Sequence, residues 1–204
     1  MNENKLASTS VPIHDLLARR WSPRAFDAGR PLSDAQITAL VEAARWAPSC
    51  FGDEPWRYLI WNRNRDEAGW RKAFDCLAES NRIWVVNAPV LILSCAGSKF
   101  RHNGHPNRYG QHDTGAASMA LVLQAVALGL AAHQMGGFDA AKARAAFAIP
   151  EQYTPMAMIA VGYQAEPLVL KGDQLVKEQA ARSRQPIGEH FFDGLWGKPF
   201  SSHA

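Results

Sequence analysis

From Gly115 to Ala132 the chain runs for 18 residues without a charged side chain, and no other segment restricts the fold as strongly. That length lies near the lower limit for crossing a bilayer. The content points elsewhere: the stretch is rich in Ala and Gly, holds Ser118 and Gln124 inside, and lacks flanking aromatic and basic anchors. A helix apolar on all faces is what a large core or a subunit interface requires. The pattern therefore predicts a helix from Thr114 to about Leu130, covered on every side and not in a membrane.

Its cover is readable too. VLILSC (Val90 to Cys95) follows Pro89, and MAMIAV (Met156 to Val161) closes the apolar part of the chain. Both are continuous apolar runs, the mark of strands buried on two faces. WRYLIW (Trp56 to Trp61) is a third strand. Ser33 and Gln36 have capping-box spacing before Ile37, Leu40, Val41 and Ala44, so a helix runs from Asp34 to about Trp46 and Pro48 stops it. A second amphipathic helix is expected over Asp66 to Glu79, with Trp70, Ala73, Phe74 and Leu77 on one face. Gly136 and Gly137 form a tight turn, and Asp139 caps a short helix ending before Pro150. The polar text from Gly97 to Gln111 reads as a lid-like loop with Phe100 and Tyr109 as apolar handholds. Strands and helices in this order give α+β or a mixed-sheet α/β sandwich. The 204 residues suit a single domain, 1–204, with a flexible leader over 1–12. Beyond Gln164 hydrophobicity thins, so the tail, 165–204, must lie on its own body or on a partner.

Lys and Arg number 22 against 19 Asp and Glu, too small a surplus for a nucleic-acid footprint. Three cysteines without CxxC spacing argue for a reducing compartment, by default the cytoplasm. Neither GxGxxG nor GxxxxGK[ST] is present, so any phosphate must be held by side chains. Arg20, Ser22 and Arg24 in RRWSPRAF alternate along an extended segment and aim two guanidiniums and a hydroxyl the same way. Read alone they equally suit a solvated basic turn. Arg182 and Arg184 alternate likewise in the tail. His102, His105, His112 and Asp113 lie close in sequence, but on a Gly- and Pro-rich loop, and are read as no metal site. Asp113 instead stands where it can cap the long helix.

RRWSPRAF, APSCFGDEPWRY, DTGAASMALVLQAVALGL, GGFD, PMAMIAVGY and RSRQP, in this order, resemble the FMN-dependent nitroreductase family from about Leu16 to Trp196. The resemblance implies a three-layer α/β/α sandwich with a mixed, mostly antiparallel central sheet and a C-terminal arm embracing a partner subunit. It implies a homodimer with FMN at the interface. Arg20, Trp21, Ser22, Arg24, Arg182 and Arg184 would then hold the FMN phosphate and ribityl chain. Pro48, Ser49, Cys50 and Gly52 match the segment that reaches the flavin from the opposite subunit. Gly136 and Gly137 match the turn whose backbone approaches N5, and Asn81 a position on the pyrimidine edge. Two departures occur, Gly52 and Glu54 standing where the family usually has Asn and Gln.

The activity so implied is hydride transfer from NADH or NADPH, through flavin N5, to a small electrophilic acceptor in a ping-pong cycle. Such an acceptor would be a nitroaromatic, a quinone or an enal-like compound. Phe51, Phe100 and Tyr109 are the candidates for shaping an apolar slot for this small-molecule substrate. Two other readings stay open: a dimer that stores or senses FMN without turnover, and a regulatory domain with no cofactor.

Overall fold

A computed structural model describes residues 5–201. The three apolar runs are strands β1 (Trp56–Asn62), β2 (Val90–Gly97) and, after a strand β3 (Ala131–Met135), β4 (Tyr153–Gly162). They form one sheet in the order β1-β2-β4-β3. All three pairings are antiparallel, in keeping with the mostly antiparallel sheet expected. Every residue of β2 is buried, because it is central and covered on both faces.

Alternation along the strands divides the core in two. Leu91, Leu93 and Cys95 of β2 join Met158 and Ala160 of β4 on one face. There they meet α3 (Glu67–Phe74), α4 (Glu79–Val85) and α6 (Ala140–Phe147) through Trp70, Phe74, Trp84 and Ala143. Val90, Ile92, Ile159 and Val161 point the other way, into α2 (Asp34–Arg45) and α5 (Gly110–Ala127) through Leu40, Ala44, Ala117, Leu121 and Ala125. Successive strand residues must face opposite sides, so two apolar faces give three layers.

The expected elements are corrected in three places. The uncharged run is divided by Gly129, whose φ of 70° belongs to the left-handed region, so that α5 ends at Ala127 and Ala131 onward is the edge strand β3. That helix begins at Gly110, and Asp113 therefore lies in its first turn rather than at its cap. Within this chain Ala117, Leu121 and Ala125 of the helix are buried, while Ala116, Met119, Ala120 and Leu123 are half-buried. The expected helix from Asp66 to Glu79 ends at Phe74, and α4 follows as a separate helix. The capping boxes and caps at Ser33, Asp66 and Asp139 all form.

The tail first lies on its own body. Leu170 and α7 (Gly172–Gln179) pack against the core, and only from Ser183 onward do nearly all side chains face solvent, α8 (Ile187–His190) among them. Of the 1–12 leader, residues 1–4 lie outside the described residues. Lys5 is buried and Ala7 donates its N–H to the Ala18 carbonyl, while residues 8–12 are exposed. Among the described residues no helix is long and apolar enough to cross a membrane.

Candidate functional site

The chain leaves α1 (Asp15–Arg19) in an extended conformation at Arg20. Residues 25–27 then pair with 163–165 beyond the end of β4, which fixes the course of the basic segment between. Within it Arg20 Nη1 lies 3.5 Å from Ser22 Oγ, and the Lys5 ammonium sits 4.6 Å over the Trp21 ring.

Glu178 of α7 brings the other end of the chain here. It is fully buried, and its two carboxylate oxygens accept the N–H groups of Arg24 (2.8 Å) and Ala25 (3.2 Å). Lys5 donates to the Ala180 carbonyl, and Arg182 Nη1 to the carbonyls of Lys5 (2.6 Å) and Ala18 (3.0 Å). Arg20, Arg182 and Arg184 consequently share one small region. Burial first, then the positive charges of Arg182 and Arg184, lowers the pKa of Arg20; burial and Arg184 do the same to Arg182. The Lys5 pKa is also lowered by burial, against the opposing pull of Glu178. None of Arg20, Arg24, Arg182 and Arg184 takes part in the ion pairs among the described residues. Crowded guanidiniums without a carboxylate partner, beside a serine hydroxyl, make a donor set suited to a phosphate dianion.

β3 runs beside this cluster. His133 Nδ1 donates to the Pro23 carbonyl at 2.9 Å, and its ring lies 4.6 Å from that of Trp84. Burial, joined by the charges of Arg24 and Arg20, depresses its pKa to about 4, so the imidazole is neutral at pH 7. After β3 comes the Gly136–Gly137 turn. Asn81 Nδ2 and the Ala78 N–H both donate to the Gly137 carbonyl, at 2.9 and 3.0 Å. A Cβ on Gly137 would fall 2.6 Å from Asn81 Nδ2, whereas Gly136 faces open space. The amide nitrogen of Asn81 is thereby committed to the turn. A cavity of about 220 Å³ bordered by Trp21, Pro23, Leu130, Ala131 and Gln164 opens where β3 begins.

The remaining candidates sit elsewhere. Ser49 Oγ accepts the Glu54 N–H (3.0 Å), and the Cys50 N–H donates to Asp113 Oδ2 (2.9 Å). Pro48 is exposed at the head of this turn. Phe51, Gly52 and Glu54 all take positive φ, of 57°, 62° and 50°. For Phe51 and Glu54 that conformation costs on the order of 1 kcal/mol each. Phe51 is 81% exposed and meets Phe100 and His102 edge-on, at 5.7 and 5.5 Å. Tyr109 is placed apart from them, beneath Arg108 at 4.9 Å. A cavity of about 310 Å³ is lined by Phe51, Gly52, Asp53, Arg101 and His102.

This turn leads directly into β1, at the opposite edge of the sheet from β3. Three strand spacings, about 14 Å, separate the two edges. The Arg20 cluster and the Phe51 turn of one chain therefore flank different sides of the sheet. Sequence reasoning missed Lys5, Asp53, Arg101, His133 and Glu178. His133 and Glu178 each act through partners more than a hundred residues away in the chain, so no local pattern marked them. All three cysteines are free, and among the described residues no group of three or more His, Cys, Asp and Glu is placed to hold a metal.

Comparison with known proteins agrees with this architecture. The nitroreductase family model matches residues 17–83 and 68–163. A solved structure described as an oxidoreductase containing FMN superposes with a TM-score of 0.87 at 30% identity, covering 97% of this chain and 99% of its own. A Methanothermobacter thermautotrophicus protein, provisionally designated an NADH dehydrogenase/NAD(P)H nitroreductase, is 30% identical over 164 residues, 78% of this chain and 80% of its own length. An uncharacterized 15.4 kDa protein of Mycolicibacterium smegmatis is 35% identical over 114 residues, 55% of this chain and 74% of that protein. Most of the length from α1 through β4 is matched by the family model, and the sheet and its two helical layers recur in a solved relative. The chain belongs to the nitroreductase family.

Proposed function

We propose that this protein is an FMN-dependent oxidoreductase, a homodimer that passes hydride from NADH or NADPH to a small electrophilic acceptor in two half-reactions at one site. The observation that carries the reading is the convergence of Arg20, Arg182 and Arg184 from the two ends of the chain, none of them in an ion pair among the described residues. The FMN content of the solved relative and the designation of the Methanothermobacter protein support the cofactor and the donor.

When bound, FMN supplies a ring that accepts hydride from one substrate and yields it to another. The chain's own residues bind and orient. Arg20, Arg24, Arg182, Arg184 and Ser22 hold the phosphate; Glu178 keeps the two basic segments together; His133, neutral, fastens the Pro23 backbone to β3. Gly136 leaves the end of β3 open to a flat ring. A ring lying along β3 is out of reach of the Phe51 turn of the same chain, at the far edge of the sheet. The matching turn of a second copy can close over it, and this is why the reading includes a dimer.

Two measurements test the proposal. Arg20→Ala or Arg184→Ala is expected to weaken FMN retention by about 10- to 100-fold, the loss of one charge-assisted hydrogen bond, with Lys99→Ala at wild-type retention. Anaerobic NADPH or NADH is expected to bleach the flavin absorbance of the wild type. Equal retention in all three variants defeats the phosphate site, and absence of bleaching with either donor leaves a storage or sensing dimer.

A further inference from the structure

The loop from Ser98 to Tyr109 contains Lys99, Arg101, Arg108 and two histidines, and no acidic residue. Its shape is fixed. Lys99 and Pro106 form a β-bridge, and the Asn107 N–H donates to the Ser98 carbonyl at 2.8 Å. Asp53, 3% exposed, clamps its base: one carboxylate oxygen accepts the Arg101 N–H at 2.8 Å and the other faces Asn107 Nδ2 at 3.4 Å. Both oxygens of the acid beside the 310 Å³ cavity are thus turned to the loop's own framework. The Arg101 guanidinium has only a 3.5 Å contact with the Gly52 carbonyl. Phe51 meets Phe100 and His102 edge-on, those two rings lie tilted to each other, and Phe51 takes an unfavourable backbone conformation.

An exposed aromatic face next to a cation without a carboxylate partner, on a loop bearing several more cations, recognises a flat ring with an adjacent multiply charged anion. Among the two nicotinamide donors only NADPH has this chemistry at its adenosine end, where a phosphate sits on the ribose next to adenine. We infer that the cavity of Phe51, Gly52, Asp53, Arg101 and His102 receives the adenosine 2′-phosphate of the donor, with Arg101 on the phosphate and Phe51 against adenine, and that it makes the enzyme select NADPH over NADH. The inference rests on the oxidoreductase reading for its biological sense, while the site itself can be measured without any flavin.

The test uses the full chain as purified and two non-reducible probes, adenosine 2′,5′-bisphosphate and adenosine 5′-monophosphate, titrated by calorimetry. The wild type is expected to bind the bisphosphate at least tenfold more tightly. Arg101→Gln, at an exposed position where the fold is not at stake, is expected to remove that difference while leaving the monophosphate affinity within about twofold. Phe51→Ala is expected to weaken both probes alike. In the FMN-loaded enzyme, kcat/KM for NADPH over NADH falls towards one in Arg101→Gln. Equal binding of the two probes by the wild type, or equal loss of both in Arg101→Gln, overturns the assignment. Should the protein hold no FMN but discriminate between the probes through Arg101, the oxidoreductase reading fails and the nucleotide site stands.

Discussion

His133 is placed where a proton is least welcome, beside Arg20 and Arg24 and largely removed from water. In the unfolded chain its pKa is near 6.5, and in the fold it is about 4. Between those values the unfolded state binds a proton that the folded state refuses, so stability rises with pH across the window. The contribution is complete above about pH 6.5, declines as pH falls, and is spent near pH 4; in size it is on the order of 3 kcal/mol. Glutamine at this position can still donate to the Pro23 carbonyl but has no proton to gain. Urea midpoints of His133→Gln at pH 7 and pH 4.5 are therefore expected to differ less than those of the wild type, by on the order of 2 kcal/mol. A parallel decline in the two proteins excludes His133 as the source. The arginines around it were legible in the sequence because alternation in an extended segment is a local pattern. The histidine was not, since its role comes from a carbonyl 110 residues away in the chain.

At the scale of an element, α7 decides whether the arginine cluster exists. Leu175 packs it against the core, and Glu178 ties it to the backbone of Arg24 and Ala25. Removing the carboxylate in Glu178→Ala leaves two N–H groups without acceptors inside the protein, at about 1–3 kcal/mol each. Stability by urea denaturation is expected to fall by about 2–4 kcal/mol, and FMN affinity by fluorescence titration to fall further than in Arg184→Ala alone. Glu178→Gln, which keeps one acceptor, should lie between. Full FMN affinity in a folded Glu178→Ala would show that the tail arginines reach the phosphate without α7. The elements themselves were unevenly legible. β1, β2, β4, α2 and α6 have either unbroken apolar runs or caps that act locally, at Ser33 and Asp139. β3 was hidden because Ala131 and Ala132 continue the composition of the helix before them, and only the left-handed Gly129 separates the two. The short polar helix α4 lacks a side-chain cap altogether, so nothing announced its start.

For the whole molecule, the decisive fact is that one sheet presents the arginine cluster at its β3 edge and the Phe51 turn at its β1 edge. On the proposed reading a second copy brings both to one cofactor. Trp46 is 76% exposed and Trp196 93%, each a large apolar side chain that a monomer would leave in water. Phe191, Leu195 and Phe200 accompany Trp196 on the last stretch of the tail, which bridges to itself at Phe192 and Pro199 and touches the body little. From Ser183 onward the tail is largely exposed, while Arg182 is tied to its own body. Light scattering after size exclusion is expected to give twice the chain mass for the wild type. Trp196→Ser should shift that equilibrium towards monomer on dilution, with FMN released in parallel because half of its contacts leave with the second copy. Removal of residues 186–204 should do so more completely while the urea midpoint of the remaining body changes little, since the described residues of that stretch contribute no buried side chain to the core. A wild-type monomer that holds FMN at micromolar concentration would mean that one sheet edge suffices, and the two-copy site would have to be given up.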